Sequence, residues 1–584
     1  MSNITRTEPI DRWIAVRDLM GNDATRAVLE ALIPEVIASG MADRLADLPL
    51  GVFLTLVVPG DPALLEGVLE QLAPLPNPAP RPMRAPAPTP SANYEHASVP
   101  EGSAALTVHV AAPAVEIVLA GPTHGNPFID VELTAVFTRD EQKVTVGGFY
   151  DGDGTYRLRF LPPSAGEWSV QTRSNARSLT GLTTTFTVAD VPTTSPVRVD
   201  GELGFVRPDG AAFVPVGTTA YAWTHQPEEV QERTLTALAG TPFTKLRMGL
   251  FPKSYVYNSN EPDRFVFPRA DDGGFDTERF DVEYFRRLEH RIGQLADLGV
   301  EADLILFHPY DRWGFSSLGA EVDDRYVRYV VRRLAAMPNV WWSLANEYEL
   351  LLAKRPVDWD RLGRLVERED HVGHPRSIHN IVEPWDASSD WVTHCSLQRN
   401  SPALAEYVDS WRREWRKPVV VDEMGYEGDL DQGWGNLTAE ELVLRSWQVA
   451  FAGGFSTHGE TFWSADDEIF WAKGGDLRGE SIARIGFLRQ VIEDSPTGRL
   501  EPLLSPPDAA VAGAAGRYVV ISLGRGRPRF RNVQIPEGTR ARVEILDCWN
   551  MTVTAVPGEH EGTVRVELPA RPMIAIRLHL TRLA

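Results

Sequence analysis

At 584 residues the chain exceeds what one hydrophobic core serves, so three or four domains are expected. With 58 Lys and Arg against 80 Asp and Glu, the net charge of -22 repels phosphate backbones and anionic lipid, which argues against nucleic-acid and membrane partners. Cys395 and Cys548 fall in different predicted domains, so no disulfide framework is expected.

The opening MSNITRTEPIDRW lacks a basic region followed by an apolar core, and no apolar run is long enough to span a bilayer. The expectation is a cytoplasmic protein. Residues 1–73 read as a helical N-terminal module, because Val16, Leu19, Met20 and then Val28, Leu29, Leu32, Ile33 follow helical spacing between about Asp11 and Leu72. Packing or self-association suits it, leaving a homo-oligomer open. Residues 74–91, PLPNPAPRPMRAPAPTP in their main part, predict a stiff Pro-rich linker with no core of its own.

Between residues 92 and 197 the pattern turns to short alternating strands at Val115–Leu119, Ile129–Phe137, Lys143–Phe149, Thr155–Phe160, Glu167–Thr172 and Thr183–Val188. Turn residues separate them, as in an antiparallel sandwich of immunoglobulin type. Asp151 and Asp153 lack the glutamate that a calcium loop places further on, so a hairpin turn is expected there.

Residues 198–497 alternate strands with amphipathic helices and predict a (β/α)8 TIM barrel. The expected strands are Ala212–Thr218, Thr244–Leu250, Ala302–Phe307, Val340–Ala345, Arg376–His379, Trp391–His394, Pro418–Val421 and His458–Phe462. Helical faces such as Phe285, Leu288, Ile292, Leu295 and Tyr326, Val327, Val330, Val331, Leu334 lie between them. Residues 498–584 return to alternating strands and predict a C-terminal antiparallel β-sandwich domain. The fold class is therefore multidomain α/β, with a barrel flanked by the helical segment and two β domains.

Two apolar runs end in carboxylates. VWWSLA leads into Asn346, Glu347 and Tyr348, and PVVV leads into Asp422 and Glu423. In a parallel barrel such ends share one face, where the loops build active sites. Asn346-Glu347 after the fourth strand, with Glu423 closing the seventh, resembles the clan of retaining barrel glycoside hydrolases whose carboxylates lie on strands four and seven. The segment FYDGDGTYRLRFLPPSAGEWSVQT is similar to the sandwich ahead of the barrel in a group of bacterial glycosidases.

The resemblance implies a retaining glycosidase, exo-acting on small oligosaccharides or glycosides, with Glu423 as nucleophile and Glu347 as acid/base. Retention needs a carboxylate to attack the anomeric carbon and a carboxylic acid to protonate the departing oxygen, about 5–5.5 Å apart. Burial beside Trp342 or Tyr348 and the charge of Glu423 would keep Glu347 protonated. Asn346 is expected on the hydroxyl beside the reacting carbon.

Arg247 ends the second strand and either orients Glu423 or forms a barrel ion pair. His308, Tyr310, Asp311 and Trp313, in FHPYDRWG, suit sugar hydroxyls and a stacking ring. His379, Asn380 and His394 fit either contact with substrate or satisfied core positions. Tyr221, Trp223 and Trp463 suit a platform under a pyranose, with Glu460 and Trp434 as further candidates; core packing is the other reading for each.

No metal site is expected, because no His-x-x-x-His pair of helical spacing occurs, and no cofactor is implied. Sixteen tryptophans favour carbohydrate stacking without saying where. Two classes stay open: the hydrolase, and a non-catalytic carbohydrate-binding protein on the same scaffold. A barrel lyase or isomerase would want a lysine base, metal cluster or phosphate loop, and none is evident.

Overall fold

The computed structural model describes residues 9–79, 89–111, 113–191, 195–201, 203–466 and 468–583. The chain is a mixed α/β multidomain protein. Residues 80–88 of the expected linker, and the first eight residues of the chain, lie outside the described set.

Where one helical stretch was expected, the described residues hold six short helices between Val16 and Leu72. Breakers divide them: Pro34 opens one helix and left-handed Gly40 precedes another. The Asn22 and Asp61 side chains cap two more. Val16, Leu19, Leu29, Leu50, Phe53, Val68 and Leu72 form their shared core. The module rests on the central domain through Arg12 Nη2, 2.5 Å from Glu383 Oε2, and through Trp13, whose ring lies 5.9 Å from that of Tyr348.

Next come two four-stranded antiparallel sheets, ordered Ala105–Ala111, Ala114–Ala120, Thr155–Phe160, Phe149–Tyr150 and Gln142–Gly147, Leu133–Arg139, Gly166–Ser174, Thr183–Val188. Alternate residues turn inward, so Ile117, Leu119, Phe137, Leu158, Phe160 and Trp168 share one core. Ala105–Ala111 was not among the expected strands, although Leu106, Val108 and Val110 alternate with Thr107 and His109; it is an edge strand with no fully buried residue. Asp151 sits at the start of a tight turn and is buried by Arg157 at 2.6 Å and Arg333 at 2.7 Å. Arg333 belongs to a central-domain helix, so this carboxylate ties the two domains together.

Among the described residues, the main circuit of the central domain has eight parallel strands, named here β1 (Gly217–Thr219), β2 (Lys245–Gly249), β3 (Glu301–Phe307), β4 (Val340–Ala345), β5 (Arg376–Ser377), β6 (Cys395–Gln398), β7 (Val419–Glu423) and β8 (Phe455–Ser456). Neighbours pair in parallel from β1 to β5 and from β6 to β8. Parallel bridges His379–Ser396 and Gly217–Thr457 join the remaining gaps, so the pairing runs in a closed circuit. Every residue of β2, β3, β4 and β7 is buried, as expected of parallel strands covered on both faces.

Three expected strands move. Ala212–Phe213 pairs antiparallel with Phe205–Val206, and β1 begins only at Gly217. The sixth strand is Cys395–Gln398, not Trp391–His394; the apolar run packs in the core just before the strand, and hydropathy alone marked the wrong side of the boundary. The eighth is Phe455–Ser456, not His458–Phe462, whose Glu460–Thr461 pairs with Glu427–Gly428.

The C-terminal region forms a six-stranded antiparallel sheet plus the pair Phe530–Gln534 and Thr563–Glu567. It docks on the central domain by merging Ala512, Tyr518 and Leu546 into the main core and by the Arg577–Asp494 ion pair at 2.6 Å.

Candidate active site

The buried strand β4 delivers Asn346 and Glu347 at its C-terminal end, where Asn346 N–H donates to the Phe307 carbonyl at 2.9 Å. Glu347 adopts the left-handed conformation at φ 50°, which costs a residue with a Cβ about 1–2 kcal/mol. Both neighbours are pinned, since Tyr348 N–H donates to the His379 carbonyl at 3.0 Å, so the strain is held by the surrounding backbone. Tyr310 donates its hydroxyl to Glu347 Oε2. The Gln398 amide, with its nitrogen turned inward, donates to Glu347 Oε1 at 3.3 Å.

Glu423 is the last residue of β7 and accepts from the Tyr221 hydroxyl. His379 Nε2 lies 3.4 Å from its Oε1. The Tyr221 hydroxyl and Arg247 Nη2 both lie 3.2 Å from Asn346 Oδ1, an arrangement that fixes the amide with its nitrogen as the free donor. One network therefore spans both strand ends.

The two carboxyls are biased in opposite directions. Burial first, and then the charge of Glu423, push Glu347 up to about 7. Burial also pushes Glu423 upward, but hydrogen bonding and charge from His379, then the Arg247 charge and the Tyr221 hydroxyl, outweigh it and hold this carboxyl below its ordinary value. Both side chains are buried, Glu347 at 5% and Glu423 at 7% exposure, and among the described residues neither is directly paired with an arginine or lysine.

Beneath them lies a buried charge cluster, in which Arg247 makes the barrel ion pair that was one of its two expected roles, while Lys245 and Asp303 were not singled out. Lys245 Nζ sits 2.7 Å from both Asp303 Oδ2 and Asp422 Oδ1, and Arg247 Nη1 sits 3.2 Å from Asp422 Oδ2. Ser396 and Thr457 each donate to Asp422 at 2.6 Å. Asp422→Ala is expected to destabilise the fold by about 3–5 kcal/mol, because it leaves two buried cations short of a counter-ion. Chemical denaturation of variant and parent measures this; a loss under about 1 kcal/mol would mean that Asp303 alone satisfies both cations.

Of the residues singled out from sequence, Tyr221, Arg247, Tyr310, Asn346, Glu347 and Glu423 meet here, with His379. His308 stands one layer back, its Nε2 3.1 Å from the Phe251 carbonyl. Others are placed elsewhere. Trp223 is core, its indole N–H directed at the Met248 sulfur at 3.3 Å. His394 packs edge-on to Trp341 and Phe205, at the opposite strand ends. Asp311 accepts the Trp313, Gly314 and Ser316 N–H groups and so shapes its own loop. The Trp313 indole N–H donates to Glu261 at 3.1 Å, and Arg312 covers its ring. Glu460 accepts the Arg478 and Gly479 N–H groups at 2.7 Å. These positions looked polar or aromatic in sequence, but backbone N–H groups already satisfy Asp311 and Glu460, and Trp223, His394 and Trp313 are taken up by packing or by side-chain partners.

Lys253, Tyr255, Tyr257, Tyr426 and Trp471 were not singled out, and they line the same region. The alternation in KSYVYNSN after β2 was the available signal. Trp434 packs at a tilt against Trp471 with ring centroids 5.1 Å apart, and Trp463, 40 % exposed, lies 5.9 Å from Tyr257 at the rim. The Tyr255 and Tyr426 hydroxyls and the Trp471 indole N–H are buried with no partner among the described residues. Unpaired donors beside aromatic faces are what a sugar's hydroxyls and apolar ring faces complement.

Paired carboxyls at the C-terminal ends of parallel strands are an arrangement that glycoside hydrolases use. Residues 201–497, half of the chain, match the family model described as the apiosidase-like catalytic domain, and the chain belongs to this family. Residues 113–175 and 508–579 match two models described as domains of unknown function.

A Bacteroides vulgatus structure solved as a candidate glycoside hydrolase is 38% identical, covering 80% of this chain and 98% of its own, with a TM-score of 0.76. A family 5 glycoside hydrolase from the same organism is 13% identical, covers 66% of this chain and 94% of its own, and has a TM-score of 0.53. That second likeness shows the fold alone, of TIM-barrel type. No curated protein matches. Among the described residues, no helix is long and apolar enough to cross a membrane.

Proposed function

We propose that the protein is a retaining, exo-acting glycoside hydrolase for small oligosaccharides or glycosides, with Glu423 as nucleophile and Glu347 as acid/base. The closed circuit of parallel strands is read as a (β/α)8 barrel, preceded by an immunoglobulin-like sandwich and followed by a second β domain. One feature supports the mechanism: two buried carboxyls stand at the ends of parallel strands, and their surroundings bias them oppositely, Glu347 upward by burial and the Glu423 charge, and Glu423 downward by His379, Arg247 and Tyr221. Glu423 attacks the anomeric carbon while Glu347 gives its proton to the leaving oxygen. Water then attacks from the face the leaving group vacated, opposite Glu423, passing a proton to Glu347 as the bond to Glu423 breaks. The Asn346 amide nitrogen meets the adjacent hydroxyl.

The family description puts apiosides at the head of an aryl glycoside panel, with other pentofuranosides and pyranosides behind them. Proton NMR of the first product anomer tests the stereochemistry, and an inverted product overturns the proposal. Binding without turnover across the panel favours the non-catalytic reading.

The carboxyl biases also set a pH profile. Activity requires ionised Glu423 and protonated Glu347, so kcat/KM is expected to fall as pH rises through about 7. On the acid side it persists below the ordinary carboxylate range, because Glu423 stays ionised there. A profile with its basic limb near 5 would show that Glu347 is not the acid.

A further inference from the structure

Lys253 is a buried cation with no counter-ion in contact. It is 3 % exposed, and among the described residues neither a carboxylate nor a carbonyl accepts from its ammonium. By contrast, Lys245, Arg247 and Lys354 all meet carboxylates. Four rings hold Lys253 instead: its Nζ lies 3.6 Å from the centroid of Tyr221, 4.1 Å from Tyr310, 4.6 Å from Tyr255 and 5.2 Å from Trp471. Two of these rings carry the hydroxyls that reach the carboxyls, Tyr221 to Glu423 and Tyr310 to Glu347. The ammonium is thereby anchored between the pair.

We propose that Lys253 is a positioning residue that holds Glu347 as a carboxylate during the second half of the reaction. The inference rests on the roles given above to Glu423 and Glu347. In the first half, a Glu423 oxygen bonds the anomeric carbon as the bond to the leaving oxygen breaks, and that oxygen takes the Glu347 proton. Glu423 is now an uncharged ester and Glu347 a carboxylate. In the second half, the water oxygen bonds the same carbon, its proton passes to Glu347, and the electrons of the broken ester bond return to Glu423. Glu347 must stay ionised between the two steps.

The groups facing Glu347 decide whether it does. Glu423 and Glu349 oppose its ionisation, Lys253 favours it, and Tyr310 and Gln398 donate to it. Glu349 accepts three backbone N–H groups, from Ile381, Val382 and Glu383. Esterification deletes the Glu423 charge and leaves that of Lys253. Burial, with help from the Arg247 charge, lowers Lys253 to about 8 against the pull of Glu347 and Glu423, so it remains a cation at neutral pH. His308, behind it, is held neutral by burial, at about 4.

The test titrates the Glu347 carboxyl by 13C NMR in the full chain labelled at glutamate carboxyls, with the signal assigned by its loss in Glu347→Gln. Glu423→Gln stands in for the esterified nucleophile. The Glu347 midpoint is expected to fall in Glu423→Gln and to rise in Lys253→Met by on the order of one pH unit, the scale of a single nearby charge. Lys253→Arg should stay close to the parent. Lys253→Gln serves as a second neutral variant if Met disturbs the ring packing. An unmoved midpoint in both neutral variants overturns the proposal and makes Lys253 a packing residue.

In kinetics, Lys253→Met should turn over a dinitrophenyl glycoside about tenfold more slowly at neutral pH, with azide restoring the rate because azide needs no base. A rate that azide leaves unchanged counts against the proposal. Failure of a 2-fluoro sugar to label Glu423 in the parent would defeat the hydrolase reading instead, so the two failures are distinct.

Discussion

Glu423→Gln is expected to lower turnover by about four to six orders of magnitude, on the scale seen when a covalent nucleophile is deleted. The amide keeps the shape and still accepts from Tyr221, and removal of a buried charge leaves the fold standing. What it cannot supply is the electron pair for the anomeric carbon. Three measurements check the claim: unchanged thermal unfolding, loss of activity on the reactive aryl glycoside, and mass-spectrometric mapping of the 2-fluoro glycosyl adduct to Glu423 in the parent. An adduct on another carboxylate would reassign the nucleophile, and a variant with ordinary activity would remove the double-displacement mechanism.

Glu347→Ala separates leaving groups. A poor leaving group needs its oxygen protonated as the bond breaks, so its rate should drop about 10²- to 10⁴-fold, while a dinitrophenolate, which departs unprotonated, suffers much less in the first step. The second step loses its base, so the glycosyl-enzyme accumulates. Azide, small enough for the space vacated by the carboxyl, should restore turnover and give a glycosyl azide of retained configuration. Equal losses on all leaving groups, without azide rescue, would place Glu347 among the structural carboxyls. The variant also strands the Tyr310 hydroxyl and the Gln398 amide, so its stability is expected to drop modestly.

The site was partly legible because a carboxylate at the end of an apolar run has no packing purpose. VWWSLA before Asn346-Glu347 and PVVV before Asp422-Glu423 were visible for that reason, and residue order placed Tyr221 and Tyr310 after neighbouring strands and Arg247 within one. Polarity and aromaticity alone misled elsewhere. Asp311 and Glu460 look the same in sequence as an active carboxylate, yet each is consumed by the N–H groups of its own or an adjacent loop. Trp223 suited a sugar platform in sequence and His394 either substrate contact or a core position, and both are packed as core.

Sequence by itself determined the alternation of strand and helix, the β-rich flanks, and the delivery of Glu347 and Glu423 at strand ends, since hydropathy period and chain order are local properties. Only the tertiary structure decided where β6 and β8 begin, how Asp422 is divided between Lys245 and Arg247, and that Lys253 lies caged between Tyr221 and Tyr310. Those outcomes depend on which distant groups arrive within a few ångströms of one another. A buried charge takes its meaning from such neighbours and not from its place in the chain.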